Sequence, residues 1–179
     1  MKVKIHVNPG IRAFGADLAP FLYPSAGNPR VAVLVPGFRE TRQVRYFATL
    51  DDDEAVRFDP EVLAGTAAQL RWAALRNWPV KARNGIVVLT YEREEGLSDY
   101  DRDILWDVFG VPVFEQYFTR RNRLLASECD AHEGLHLSGS AVHREGWLIE
   151  PSPCACGDAR PRLMPEPEVQ AVGLHLRVA

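Results

Sequence analysis

Residues 86–114 have the sequence IVVLTYEREEGLSDYDRDILWDVFGVPVF, in which a strand, a helix and a second strand follow one another. Ile86 to Tyr91 form an apolar, β-branched run that is typical of a buried strand. Ser98 can cap the helix, since acidic residues follow it in the first turn and a glycine ends the apolar stripe. The run Val111–Phe114 predicts the next strand. Short connections between the three elements predict a parallel strand pair with a right-handed crossover, a βαβ unit.

The chain before this unit carries three further strand patterns and one helix pattern. Val31 to Val35 form a continuous apolar run, which predicts another buried strand. Gln43–Leu50 and Ala55–Phe58 flank an acidic turn, so we predict a hairpin there. Asp59 is followed by proline and glutamate, which are typical of a helix N-terminus, and apolar residues at helical spacing extend that predicted helix to about Asn77.

The chain after Tyr117 has shorter apolar runs separated by polar turns. These runs are Leu124–Ser127, Leu135–Leu137 and Gly146–Glu150, and residues 169–178 form one more candidate strand. Short strands joined by turns are typical of an antiparallel arrangement. We therefore predict a small antiparallel region at the C-terminal end of the chain.

Together these patterns predict an α/β fold in two regions. Residues 1–120 would form a core domain, a partly parallel sheet with flanking helices built around the βαβ unit. Residues 121–179 would form the antiparallel region, held by zinc and packed on the core so that the whole chain is one compact unit. At 179 residues the chain is long enough to bury such a core.

The composition excludes several classes of protein. The formal net charge is -3 and the pI is near 6.0, so we expect no nucleic acid partner. No apolar run is long enough to span a bilayer, and Met1–His6 lack the apolar stretch of a signal peptide. With few cysteines and no export signal, the sequence predicts a cytoplasmic protein, in which clustered thiols are metal ligands more often than disulfides.

All three cysteines of the chain lie in two C-terminal motifs, ECDAHEGLH at residues 128–136 and PCACG at residues 153–157. Cys129 would lie near the end of a strand, opposite a histidine on the return strand of a hairpin. Cys154 and Cys156, one residue apart, are typical of a tight metal-binding turn. Three thiolates and one imidazole complete a closed tetrahedral zinc site, so the sequence predicts structural rather than catalytic zinc.

Two histidines compete for the fourth position. We favour His136, because His132 lies in the turn itself and would fold back on the metal less easily; His132 stays the alternative ligand. Two other interpretations of the motifs remain. The cysteines could be separately buried small apolar residues, or Cys129 could be a nucleophile that His132 activates.

The same motifs carry a resemblance to a known family. The stretches Phe109–Tyr117, Glu128-Cys129, Gly134-Leu135-His136, Cys154–Gly157 and Pro161–Leu163 occur in that order. They resemble the phenylacetate–CoA ligase-like branch of the adenylate-forming (AMP-binding) enzymes over about residues 84–163. Some members of that branch hold a structural zinc, and the resemblance implies Cys129, His136, Cys154 and Cys156 as its ligands.

The chain differs from this family in the elements with which the family binds the phosphates of ATP. It has no glycine- and serine-rich loop of the kind whose backbone N–H groups bind ATP phosphates. Tyr117 is followed by Phe118 and Thr119, so the glycine and the magnesium-binding glutamate of the family's adenylation motif are not in place. The sequence contains neither the segment with the ribose-binding aspartate nor the lid with its lysine. The resemblance implies ATP, AMP or CoA as ligands, but no phosphate loop supports them.

Two functions follow from the resemblance. In the first, the chain is a truncated, zinc-stabilised homologue that is not self-sufficient for adenylation and acts as a small-ligand-binding or accessory protein. In the second, it is an active CoA ligase or adenylate-forming enzyme for an aryl or acyl carboxylate, alone or completed by a partner chain. The implied partners are a small carboxylate or nucleotide, and either a partner enzyme or further copies of the chain.

The predicted ligand cleft follows from the predicted sheet. Ligands of open α/β sheets bind beyond the carboxyl ends of the strands. In this chain those ends lie at Tyr91 and at Glu115, Gln116 and Tyr117, so we predict these four residues as ligand-binding residues. An ordinary strand-end charge is the alternative interpretation of Glu115.

Overall fold

The computed structural model of this protein describes residues 18–50, 53–76, 78, 80–139 and 142–166. These residues form a mixed α/β structure in which most of the core is sheet and the helices are few. The strands are β1 (Val31–Val33), β2 (Val44–Tyr46), β3 (Val62–Gly65), β4 (Gly85–Tyr91), β5 (Val113–Phe118), β6 (Leu124–Ser127), β7 (Leu135–Leu137), β8 (Trp147–Glu150) and β9 (Arg162–Pro165). The helices are α1 (Asp53–Phe58), α2 (Ala67–Leu75) and α3 (Asp99–Phe109).

The nine strands of the described residues form one sheet in the order β2-β1-β3-β4-β5-β6-β7-β9-β8. The strand pairs from β2 to β5 are all parallel, and those from β5 to β8 are all antiparallel. β5 is therefore the strand at which the sheet changes direction. The sheet continues through the boundary predicted at residue 120, and the division of the chain into two domains stays a prediction.

β4 lies near the centre of the sheet and is buried over nearly its whole length. Ile86 and Val88 belong to one buried apolar cluster, and Val87 and Leu89 belong to a second cluster. Successive side chains of a strand point to opposite faces, so the two clusters cover the two faces of β4. A strand covered on both faces needs a continuous apolar run, which is the pattern that predicts it.

α3 begins and ends where the sequence predicts. The Ser98 side chain accepts a hydrogen bond from the backbone N–H of Asp101, and Gly110 takes the left-handed conformation with φ 63°. Glycine adopts this conformation without steric cost, so it ends the helix there. α3 lies between β4 and β5 in the chain, and these two strands pair in parallel. No helix in the described part of the chain is long and apolar enough to cross a membrane.

The hairpin predicted for Gln43–Leu50 and Ala55–Phe58 is wrong. The first half contains β2, but this strand pairs in parallel with β1. The second half belongs to α1, which buries Ala55 and Phe58. The Phe58 ring packs on Phe47, with 5.5 Å between the ring centroids. A run this short fits a strand and a helical turn equally well, so tertiary packing decides between them.

The helix predicted to begin at Asp59 is wrong at its start. Asp59 lies in the left-handed region, with φ 48°, between α1 and β3. β3 is fully buried between β1 and β4, so its pairing overrides the local helix signal. α2 begins only after Thr66, which forms a capping box with Gln69, and it ends at Leu75.

The C-terminal part contains the predicted strands and one more. β6, β7 and β8 lie on the predicted apolar runs. β9 inserts between β7 and β8, and the sequence does not predict it because Pro161 precedes it and Pro165 ends it. The strand predicted for residues 169–178 lies outside the described residues.

Asp59 gives a prediction about stability at acidic pH. Its carboxylate accepts hydrogen bonds from Arg83 and Arg30, and the Arg83 contact holds the pKa of that carboxyl below its ordinary value of 3.8. A lowered pKa in the folded state gives stability that is present above pH 3.8 and is lost as the pH falls below it. We expect Asp59→Asn to lower the free energy of unfolding at neutral pH, and this difference to shrink as the pH falls through the lowered pKa of Asp59.

Urea unfolding of both proteins across this pH range measures the difference. Asparagine tolerates a positive φ as aspartate does, so the variant changes the charge and keeps the backbone. The control is Asp103→Asn, because Asp103 is exposed on α3 and forms no ion pair with a described residue. A difference that stays constant from neutral to acidic pH contradicts the prediction.

Candidate functional site

Cys129, His136, Cys154 and Cys156 lie together, although they come from three separate parts of the chain. Cys129 follows β6, His136 lies within β7, and the other two cysteines lie between β8 and β9. Their ligand atoms all lie within 4.8 Å of one another. The antiparallel pairing of β6 with β7 and of β7 with β9 brings these segments side by side. The four residues are close enough to bind a metal ion.

Two distances between donor atoms match the edges of a zinc tetrahedron. The Sγ atoms of Cys129 and Cys154 are 3.7 Å apart, and Sγ of Cys156 is 3.4 Å from Nε2 of His136. For zinc–sulfur bonds of about 2.3 Å and zinc–nitrogen bonds of about 2.0 Å, the tetrahedron has edges of about 3.8 Å and about 3.5 Å. Thiolate sulfur and imidazole nitrogen are also donors that zinc prefers.

The other ring nitrogen of His136 fixes the orientation of the imidazole. Nδ1 lies 3.3 Å from the carbonyl oxygen of Arg160, which can only accept a hydrogen bond, so Nδ1 carries the proton. Nε2 then presents its lone pair towards Cys156. A metal-binding histidine commonly donates its second N–H to a carbonyl or carboxylate in this way. His136 is 2% exposed, so the ring is held by the surrounding protein.

Glycines shape the two turns that carry the cluster. Gly134, with φ 90°, precedes β7, and a Cβ atom there would collide with Met164 and with the carbonyl oxygen of Leu163. Its glycine therefore lets the hairpin turn approach β9 closely. Gly157, with φ 85°, donates its backbone N–H to the carbonyl of Cys154 and closes the second turn.

Glu133 and Arg162 join the two turns to each other. The buried Arg162 donates to the carbonyl of Glu133 at 2.7 Å and to its carboxylate at 3.2 Å. The same carboxylate accepts the backbone N–H of Ala155, which lies between the two paired cysteines. This hydrogen bond from Ala155 holds the pKa of the Glu133 carboxyl below its ordinary value.

His132 lies outside the group of four ligands. Its Nδ1 is 3.6 Å from Oε1 of Glu128, and its ring stacks on Phe114 with 5.0 Å between centroids. Of the two competing histidines, the structure therefore brings His136 to the cysteines. His132 also turns towards Glu128 rather than towards Cys129, which weakens the interpretation of Cys129 as a nucleophile.

The pKa of the Cys129 thiol also argues against its role as a nucleophile. Burial raises the pKa of the Cys129 thiol to about 12, whereas a nucleophilic cysteine needs a lowered pKa. The backbone N–H of Asp158 lies 3.4 Å from Sγ of Cys156 and lowers the pKa of that thiol. Arg160, in turn, lowers the pKa of the Asp158 carboxyl to about 2. Burial thus raises the pKa of one thiol of the cluster, and a hydrogen bond lowers the pKa of another.

A cavity of about 740 Å³ lies beyond the carboxyl ends of β4 and β5. Its lining comes from the loop after β4, from the end of β5 and the turn after it, and from the segment that leads into β8. Of the four predicted ligand-binding residues, only Tyr117 belongs to this lining. The position agrees with the general rule that open α/β sheets bind ligands at the carboxyl ends of their strands.

Glu115 lies beneath the cavity rather than in its lining. It is 2% exposed, and its Oε1 accepts hydrogen bonds from Thr90 at 2.8 Å and from Arg144 at 2.9 Å. Arg144 does line the cavity. Glu115 is therefore more than a strand-end charge, because it holds a buried arginine whose side chain borders the cavity.

Tyr91 and Gln116 have other partners. The Tyr91 hydroxyl donates to the Asn122 side chain at 3.0 Å, and burial raises the pKa of this phenol to about 12. The Gln116 amide donates to the carbonyl of Leu22 and to the hydroxyl of Ser127. Gln116 follows Glu115 on β5, so its side chain points to the opposite face of the sheet.

Arg144 is a buried cavity residue that no sequence pattern predicts. Its guanidinium lies between two aromatic rings, with Cζ 4.6 Å from the Tyr117 centroid and 4.2 Å from the Trp147 centroid. Nothing in the local pattern His143-Arg144-Glu145 signals burial, because both flanking residues are exposed polar groups. The only signal is the unpaired acid in the apolar strand β5, which needs a cation from elsewhere in the chain.

A comparison with protein-family models finds none that matches this chain, and none of the curated proteins matches it.

The buried pair of Glu115 and Arg144 gives a testable prediction. Removing one partner of a buried ion pair leaves an uncompensated charge, so we expect Arg144→Met to lower the free energy of unfolding by about 3 kcal/mol or more. Adding Glu115→Gln should recover part of this loss, because glutamine is neutral and can still accept the Thr90 hydrogen bond. Urea unfolding of both single variants and the double variant measures the coupling. Strictly additive effects contradict the prediction.

Proposed function

We propose that this chain is a zinc-stabilised protein that binds a small ligand and is not self-sufficient for adenylation. The observation that carries the proposal is the proximity of three cysteine sulfurs and one buried imidazole, whose ligand atoms all lie within 4.8 Å of one another. Four protein ligands leave no open position for water, so the metal is structural rather than catalytic. When bound, zinc supplies the positive charge that lets closely spaced thiolates lie side by side.

The cluster lies in the antiparallel part of the sheet, where the buried apolar core is small. Cys129 follows β6, His136 lies on β7, and Cys154 and Cys156 belong to the connection that leads into β9. The buried apolar cluster of this antiparallel part is the smallest of the three in the described residues. Metal binding contributes directly to folding free energy where an apolar core is small. Zinc therefore stabilises the antiparallel part of the sheet.

The ligand-binding part of the proposal rests on the cavity beyond β4 and β5 and on the resemblance to phenylacetate–CoA ligase-like enzymes. The parallel pairing of β4 with β5, with α3 between them in the chain, supports a βαβ core of the kind that the resemblance implies. The sequence lacks a phosphate loop, which favours a homologue that is not self-sufficient for adenylation over an active ligase. Three free cysteines that share one metal cluster favour the cytoplasm.

The zinc part of the proposal is tested with a matched pair of histidine variants. We expect the purified protein to hold about one zinc per chain and His136→Ala to lose it, because a fourth strong ligand is removed. His132→Ala should retain the zinc, since His132 lies outside the cluster and contacts Glu128 and Phe114 instead. Elemental analysis measures the metal, and thermal unfolding with and without a chelator measures its contribution to stability.

Two outcomes contradict this part. The first is a folded protein that holds no metal and whose melting temperature is the same before and after zinc is added. The second is loss of zinc on His132→Ala with retention on His136→Ala, which would assign the other histidine. Cys154→Ser should behave like His136→Ala, because Cys154 is buried within the same cluster.

The adenylation part is tested separately. We expect the purified chain, given ATP, magnesium and an aryl or acyl carboxylic acid, to release no pyrophosphate above the rate without protein. The physical reason is the missing phosphate loop, without which no row of backbone N–H groups neutralises the reacting phosphates. Pyrophosphate release that depends on the acid contradicts the proposal and supports the alternative of an active ligase. Thermal shift with ATP, AMP, CoA and aryl acids tests ligand binding in the same preparation.

A further inference from the structure

The guanidinium of Arg144 is buried but only partly paired. The side chain is 5% exposed, and Nη2 donates to Oε1 of Glu115 at 2.9 Å. Nη1 is buried as well, and no described residue accepts a hydrogen bond from it. The rings of Tyr117 and Trp147 cover the guanidinium within cation–π distance, so they hold its plane without supplying an acceptor.

An unpaired N–H on a buried guanidinium is unfavourable, and a protein normally supplies a partner for it. Here the side chain borders the cavity of about 740 Å³. Glu145 is its neighbour in the chain, yet this carboxylate forms no hydrogen bond with the guanidinium in the described structure. A carboxylate is the strongest acceptor that a ligand can offer to a guanidinium N–H.

The rest of the cavity lining carries a surplus of negative charge, which favours a positively charged group on the ligand. It contains four glutamates, Glu92, Glu94, Glu95 and Glu145, against the two exposed arginines Arg93 and Arg120. Arg144 does not offset this surplus, because Glu115 already neutralises it. None of the four glutamates forms an ion pair with another described residue. A ligand whose only charged group is a carboxylate would be repelled by this negatively charged lining.

We propose that this cavity binds a small molecule that carries both a carboxylate and a cationic amino group. The carboxylate accepts a hydrogen bond from Nη1 of Arg144, and the ammonium group lies among the glutamates of the loop after β4 and of Glu145. This inference rests on the proposed ligand-binding function and names the chemical class of the ligand. It also differs from an aryl or acyl acid, which carries no positive charge.

The loop Glu92–Gly96 lies beside the Arg144 guanidinium at the cavity. A Cβ atom at Gly96 would lie 2.5 Å from Nη2 of Arg144 and 3.1 Å from the Trp147 ring, so this loop lies directly against the guanidinium. Glu92 to Glu95 are exposed, and contact between a ligand and the buried Nη1 requires this loop to move outward from the guanidinium. Glycine at this position lets the loop and the arginine come this close.

Three probes with six carbons each separate the two charges of the ligand. 6-Aminohexanoate carries a carboxylate and an ammonium group, hexanoate carries only the carboxylate, and hexylamine carries only the ammonium group. With calorimetric titration of the zinc-loaded protein, we expect 6-aminohexanoate to bind at least about tenfold more tightly than either single-charge probe. Equal binding of hexanoate and 6-aminohexanoate overturns the inference, and so does equal binding of hexylamine.

Two sets of variants assign the charges to residues. Arg144→Lys keeps the ion pair with Glu115 and removes Nη1, so we expect it to weaken 6-aminohexanoate about fivefold or more and to leave hexylamine unchanged. The double variant Glu92→Gln/Glu145→Gln should weaken the binding of 6-aminohexanoate and of hexylamine. It should not weaken the binding of hexanoate. The control is Arg121→Lys, since Arg121 is exposed and outside the cavity lining. The glutamine variant changes only exposed residues, so it tests the inference even where Arg144→Lys fails to fold.

The outcomes distinguish this inference from the proposed function. Binding of AMP or an aryl acid without binding of 6-aminohexanoate overturns the inference and leaves the proposed ligand-binding function intact. Absence of binding by every one of these probes overturns both. Binding of 6-aminohexanoate that Arg144→Lys and the glutamine variant do not change overturns the assignment to this cavity.

Discussion

The pairing of β5 on both of its edges is the constraint on which the rest of the structure depends. β5 pairs in parallel with β4 and antiparallel with β6, and every residue from Val113 to Phe118 is buried. A strand covered on both faces cannot slip by one residue, because the slip would exchange the side chains of the two faces. Both candidate sites take their position from this strand. β6 leads from β5 to Cys129, and Tyr117 on β5 lines the cavity.

Buried charges on and beside β5 also restrict how this strand and its neighbours can pack. Glu115 pairs with Arg144 through its side chain, and its backbone N–H donates to Glu128 at 2.6 Å. Glu128 in turn pairs with Arg102 of α3 at 2.9 Å. Desolvation cancels much of the attraction within a buried ion pair, but an unpaired buried charge is far more costly. The network therefore contributes little net stability and instead excludes arrangements in which α3 or the segment before β8 is displaced.

Sequence patterns predict the parts of this protein that are determined locally. The buried strand at Ile86–Tyr91, the caps of α3 and the convergence of three cysteines with one histidine all follow from short motifs. The features that the sequence does not predict depend on partners far away in the chain. Asp59 has the signature of a helix start, yet the pairing of β3 with two distant strands decides that segment. Arg144 has no local signal, because its burial depends on Glu115 and on two aromatic rings from other elements.

The strand order at the end of the sheet also sets an order of assembly. β7 pairs with β9, and β8, which is made earlier, pairs only with β9 and lies at the edge. The sheet cannot extend past β7 until the ribosome has released residue 165, since β8 has no place to dock before then. Cys154 and Cys156 lie in the loop of this late β8–β9 hairpin. During synthesis the chain therefore carries Cys129 and His136 before Cys154 and Cys156 can join them, so the four residues come together only when this last hairpin docks.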